Sequence, residues 1–118
     1  VFLASEECPV TDAYKNMILE AVDTSTTLTG EKFGAPVRGI KNELTKKYHE
    51  LEERSSTLME LEELTLGSLR RAVYDGDVEN GSVMAGQIAG LVNEIRPVKN
   101  IIEDVIKEAR EVLKKIEI

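Results

Sequence analysis

The feature that most constrains the fold is the apolar stripe of the last twenty residues. After Pro97, the residues Val98, Ile101, Ile102, Val105, Ile106, Ala109, Val112, Leu113 and Ile116 recur at three- and four-residue steps, the spacing of one face of an α-helix. Glu103/Lys107 and Glu111/Lys115 stand four apart on the opposite side, where such pairs support a solvated helix surface. A helix with so continuous a stripe must cover it, so the chain is built around helix packing.

Similar spacing predicts further helices. Val10, Tyr14, Met17, Ile18, Ala21 and Val22 share a face, with Thr11 placed to cap a helix running to about Val22. Pro36 suits a first helical turn, because its missing N–H would be unpaired there in any case. From it Val37, Ile40, Leu44, Tyr48 and Leu51 form a stripe. Ser55-Ser56-Thr57 marks a break, after which a helical stretch carries Leu58, Leu61, Leu64, Leu66, Leu69 and Val73, weakened at Gly67. Ser82 is expected to open a helix to about Ile95. The hydroxyl-rich, β-branched run 23–29 reads as extended, Gly30 and Gly34 punctuate a loop, and Phe2–Ala4 reads as the end of a buried strand. The expected class is mainly α.

Composition removes several function classes. The net charge of -7 opposes binding to phosphate backbones, which depends on lysine and arginine; even Lys41, Lys46 and Lys47 sit among glutamates. A single cysteine, Cys8, forms no internal disulfide and does not nucleate a zinc site. Nothing in the sequence approaches a membrane span, so a soluble cytoplasmic protein is the expectation. With 118 residues the chain is one domain at most. Its opening on an apolar, β-like run suggests a piece cut from a longer protein.

Few residues advertise chemistry. Counted from Asp75, a calcium loop needs glycine at its sixth position and glutamate at its twelfth, and the chain has Asn80 and Gly86 there. His49 is read as an exposed helical histidine. Glutamates beside Cys8 oppose thiolate formation, and Glu6, Glu7 and Asp12 read as solvated loop charges. The segment 81–90 stands apart, with small residues at 85, 86, 89 and 90. Two readings stay open. Another helix packs closely on the bare face, or a flat ring or substrate chain approaches the backbone there, as glycine permits. In the second reading Ser82 and Gln87 supply hydrogen bonds and Met84 an adaptable apolar wall.

The run Asp75-Gly76-Asp77-Val78-Glu79-Asn80-Gly81-Ser82-Val83-Met84-Ala85-Gly86-Gln87-Ile88-Ala89-Gly90-Leu91 resembles the segment near the carboxy terminus of FabK-type enoyl-acyl carrier protein reductases. Nitronate monooxygenases are close cousins. Phe33-Gly34, Val37-Arg38-Gly39-Ile40-Lys41-Asn42-Glu43-Leu44, Tyr14-Lys15, Ile18-Leu19 and Thr26-Thr27 fall in matching register, so the resemblance covers essentially the whole chain. It departs at Thr11-Asp12, where the family often has His-Pro, and at Cys8, where serine is usual.

The resemblance implies that residues 1–118 are the C-terminal portion of an FMN-binding (β/α)8 barrel, beginning at the end of its eighth strand. That enzyme passes hydride from NAD(P)H to an enoyl thioester on acyl carrier protein, and is expected to be a homodimer. Phe2 resembles the last residue of a Gly-Thr-x-Phe motif, so the phosphate site and the family's catalytic histidine lie upstream; His49 does not correspond to that histidine. No catalytic residue and no metal ligand is carried over. Ser82, Met84 and Gln87 are the candidate cofactor-binding residues, and Arg38 is a weaker candidate for an anion or a structural carboxylate. The alternatives are nitronate oxidation on the same fold and a freestanding helical protein that binds a partner through its 98–116 stripe.

Overall fold

In a computed structural model the chain is described over residues 1–54 and 56–116. It begins with a 3-10 turn, Phe2–Ala4, followed by helix α1, Asp12–Glu20. Strands β1, Thr26–Thr29, and β2, Val37–Ile40, pair antiparallel with Thr26 opposite Ile40 and Thr29 opposite Val37. Helices α2, Glu43–Glu53, α3, Leu58–Thr65, and α4, Ser68–Val73, follow; a second 3-10 turn, Gln87–Leu91, precedes the long α5, Val98–Lys115.

The expectation near Phe2–Ala4 is corrected: among the described residues no strand pairs with it, and the segment coils into the 3-10 turn. Extended pairing comes one residue later, where Ser5 forms a parallel bridge with Arg96 and the Glu6 N–H donates to the Arg96 carbonyl at 3.0 Å. For α1 the reading holds to within two residues. Thr11 occupies the N-cap position, yet its hydroxyl donates to the Ala72 carbonyl at 3.0 Å rather than capping its own helix.

The helix expected from Pro36 is a larger correction. Residues 37–40 form β2, because they find β1 as a partner and Gly39 weakens any helix. The helix proper starts at Glu43, where Asn42 accepts from the Thr45 N–H and the Thr45 hydroxyl accepts from the Asn42 N–H, a reciprocal capping box. The Asn42 amide also donates to the Val78 and Gly81 carbonyls, both at 2.7 Å. One side chain thus starts a helix and anchors the loop that enters the 82–92 segment.

The stretch 58–73 divides at Gly67, whose φ of 71° is left-handed. Thr57 and Glu60 cap α3 reciprocally; of the predicted break, Ser55 lies outside the described residues. The segment 82–95 is not an α-helix. It runs extended and then tightens into the 3-10 turn. Gly81, Gly86 and Gly90 make a helix costly, and its backbone bonds go elsewhere: the Ser82 N–H to Ser68 at 2.9 Å, and the Ile40 N–H to Val83 at 2.8 Å.

The core gathers Tyr14, Ile18 and Ala21 with Ile40, Ala72, Val83, Ala89 and Val92. The apolar face of α1 is therefore covered. The open stripe belongs to α5, where Ile101 is buried but Ile102, Val105, Ile106, Val112 and Leu113 are all about half exposed or more. This helix is tethered at its start, where the Val98 N–H donates to the Glu7 carboxylate at 2.9 Å and Arg96 pairs with Asp104. Among the described residues no helix is long and apolar enough to cross a membrane.

Candidate functional site

The extended piece Gly81–Gly86 is threaded between α1, β2 and α4. Gly81 enters against α4: a Cβ there would stand 2.6 Å from the Ala72 nitrogen and 2.5 Å from the Asp77 carbonyl oxygen. Gly39 gives way in the same manner, since a Cβ on it would meet the Val83 carbonyl oxygen at 2.9 Å. That close approach allows the antiparallel bridge between Gly39 and Met84. From the other side the Tyr14 hydroxyl donates to the Met84 carbonyl at 2.6 Å. Burial pushes the Tyr14 phenol up to about 12, and Cys8 adds to it.

Ser82 and Met84 come together on one small slot of about 40 Å³, closed by Thr29, Leu44, Tyr48 and Thr65 from the hairpin, α2 and α3. Burial, with Glu52 adding, raises the Tyr48 pKa. The Ser82 hydroxyl shares a 2.6 Å hydrogen bond with the buried Ser68 hydroxyl, so part of its capacity serves packing. The Met84 side chain is 39% exposed.

Gln87 is not on that slot. It is exposed at the start of the 3-10 turn. A second depression, about 70 Å³ and lined by apolar residues, lies where Ala85, Gly86 and Ile88 face Val1, Leu3 and Ile18. Hence the candidate residues line one continuous segment without converging on a single point.

The two readings of the small-residue segment divide by position. Gly81 and Gly90 are demanded by packing; a Cβ on Gly90 would lie 2.8 Å from the Val22 carbonyl carbon. Gly86 has nothing within 4 Å of such a Cβ, and its φ of -80° suits any residue. Packing among the described residues gives no reason for glycine there.

Other residues singled out from the sequence have local occupations. Asp77 accepts from the Asn80 N–H at 3.0 Å, closing its own turn, and Gly76 takes a φ of 71° within it. Arg38 lies on β2 rather than on a helix, and donates to the Thr26 hydroxyl at 3.0 Å.

His49 is only partly exposed, with Thr27 at 3.1 Å on Nε2 and Glu52 at 3.3 Å on Nδ1. It lines an open cleft of about 360 Å³ with Thr27, Lys41, Asn42, Thr45 and Lys46. The sequence reading missed that cleft. The three-residue step from His49 to Glu52 was its one local signal, and Thr27 arrives from a distant strand. No cluster of metal-ligating side chains occurs among the described residues.

The family model described as nitronate monooxygenase matches residues 1–108. A probable nitronate monooxygenase from Staphylococcus saprophyticus is 30% identical over 112 residues, covering 95% of this chain and 31% of that protein. FabK from Thermotoga maritima superposes with a TM-score of 0.90 at 46% identity, over 97% of this chain and 36% of that one. A methionine-to-alanine variant of the same FabK gives a TM-score of 0.80 at 41% identity, over 97% and 33%. The chain therefore spans about a third of the length of these relatives. The resemblance carried by residues 75–91 and their upstream partners was correctly placed, and the chain belongs to the nitronate monooxygenase family, in the superfamily that also holds FabK.

Proposed function

We propose that these residues form the C-terminal portion of an FMN-dependent barrel oxidoreductase, which uses NAD(P)H to reduce an enoyl thioester on acyl carrier protein. The observation that carries this reading is the superposition on FabK over 97% of the chain, at 46% identity against 30% for the nitronate monooxygenase relative. The local geometry fits one wall of a flavin site. The Cβ direction of Gly86 is open, the depression beside it is lined by Ala85, Ile88, Val1 and Leu3, and a flat ring can approach such a backbone closely.

Bound FMN supplies the hydride-transfer chemistry. In this reading Met84 forms an apolar wall against ring and substrate, Gly86 clears the approach, and the Gln87 amide donates and accepts hydrogen bonds at the rim. Ser82 holds the segment to Ser68 and presents its remaining lone pair to the slot. The rest of the barrel supplies the flavin phosphate site and the catalytic residues, so the 118-residue chain alone is inactive.

Nitronate oxidation is the second reading, favoured by the family model over residues 1–108. The deciding experiment uses the full-length enzyme. NADH-dependent loss of an enoyl thioester on acyl carrier protein supports the reductase. Oxygen consumption with a nitronate, without need of NADH, supports the monooxygenase. A purified full-length protein carrying no flavin refutes both. Sedimentation of the same preparation tests the homodimer implied by the family.

A further inference from the structure

Residue Met84 is held from two directions by elements far away in sequence. On one side β2 pins the segment, through the Ile40 N–H on the Val83 carbonyl at 2.8 Å and the Gly39–Met84 bridge. On the other, the Tyr14 hydroxyl reaches across from α1 to the Met84 carbonyl at 2.6 Å. Tyr14 is 1% exposed and among the largest fully buried side chains. Its hydroxyl is the polar end of an otherwise apolar core residue, and it is used at this one carbonyl.

The bond fixes the plane of the peptide between Met84 and Ala85. With that carbonyl turned toward α1, Met84 lines the slot with Ser82, while the next two residues, Ala85 and Gly86, line the second depression. Losing that bond frees the Met84 backbone to shift, and its side chain shifts with it. We propose that Tyr14 is a positioning residue for the 82–87 wall, setting through the Met84 carbonyl where the Met84 side chain stands and so how tightly the accepting substrate is held. This rests on the reading of 82–87 as part of the flavin and substrate site.

The test uses the full-length enzyme with Tyr14→Phe, Met84→Ala and the double variant. Thr11→Val is the control, since it removes a hydroxyl tie from the same end of the chain to the Ala72 carbonyl without touching Met84. Tyr14→Phe is expected to raise KM for the accepting substrate about tenfold, the scale of one buried hydrogen bond, with kcat changed less than about twofold. It is also expected to shift the visible absorption of the bound flavin and to speed amide exchange over residues 84–87. Thr11→Val leaves all four readouts as in the wild type. In the Met84→Ala background the KM effect of Tyr14→Phe is expected to shrink below about twofold, because coupled residues are non-additive.

Unchanged KM in Tyr14→Phe, an equal change in Thr11→Val, or full additivity in the double variant overturns the proposal. If Tyr14→Phe does not fold, Gly39→Ala presses the same segment from the β2 side. It must then reproduce the KM rise at constant kcat, and failure to do so is equally fatal. A wild-type enzyme without flavin defeats the functional reading instead, and exchange at 84–87 then decides whether Tyr14 holds the segment.

Discussion

Replacing Gly81 and Gly86 each by alanine separates the two uses of the small-residue segment. At Gly81 the new methyl would lie 2.5 Å from the Asp77 carbonyl oxygen, 2.6 Å from the Ala72 nitrogen and 2.8 Å from the Ala72 Cβ. None of these atoms ends a flexible side chain, so α4 or the 77–81 turn must move. Overpacking of this kind costs about 1–3 kcal/mol. The same movement threatens the 2.7 Å bond from Asn42 to the Gly81 carbonyl, adding about 1 kcal/mol. Gly81→Ala should therefore destabilise by about 2–4 kcal/mol, which at about 2–4 °C per kcal/mol is about 4–16 °C in Tm. At Gly86 nothing stands within 4 Å and the backbone is ordinary, so alanine gains about 0.4–1 kcal/mol by restricting the unfolded chain.

The assay is thermal unfolding of the full-length protein by circular dichroism, with flavin removed and restored, together with flavin and substrate titrations. Gly81→Ala is expected to lower Tm in both states. Gly86→Ala is expected to leave the flavin-free Tm unchanged within about 2 °C, while weakening flavin or substrate binding about tenfold or more. If Gly86→Ala costs as much as Gly81→Ala without flavin, another part of the protein fills the open space and the division between the two glycines is wrong. If it changes neither stability nor binding, the wall reading of Gly86 fails.

Asn42→Ala should cost about 2–4 kcal/mol, since it removes a helix cap and two bonds to loop carbonyls; urea unfolding of variant and wild type measures it. Leu61→Ala, at a side chain 1% exposed, should cost about 2–5 kcal/mol by the same measurement. The Tyr14 phenol, ordinarily at 10.0, is pushed up to about 12 in the folded protein. The folded state therefore binds the extra proton between those values, and its stabilising contribution is complete below pH 10 and lost as the pH rises through about 12. An alkaline unfolding series should show a decline across that window that is shallower in Tyr14→Phe; equal slopes would remove Tyr14 as its source.

Where a pattern was local, the sequence was sufficient to read it. The stripe of α5 needs only its own period, and Gly67 breaks α3 from α4 by its own conformation. The Tyr14 and Ile18 face of α1 was legible for the same reason. Residues 82, 84 and 87 were singled out by the small-residue segment and given a flavin role by resemblance, since no residue spacing indicates which side of an extended segment each will face. His49 looked isolated because Thr27, its Nε2 partner, is brought to it by the hairpin.

The sequence by itself determined the periods of α1 and α5, the turn glycines, the acidic balance and the family, all properties of short runs or of composition. Only the tertiary structure decided the rest. Val37–Ile40 became a strand because β1 offered it a ladder, although its apolar spacing also suited a helix. Residues 82–86 stayed extended because Ser68, Ile40 and Tyr14 took the hydrogen bonds that a helix would have kept internal. Gly81 and Gly86, alike as letters, received opposite roles from what lies beside their Cβ positions. In each case a backbone group or a volume was claimed by a residue distant in the chain, and no local pattern encodes that claim.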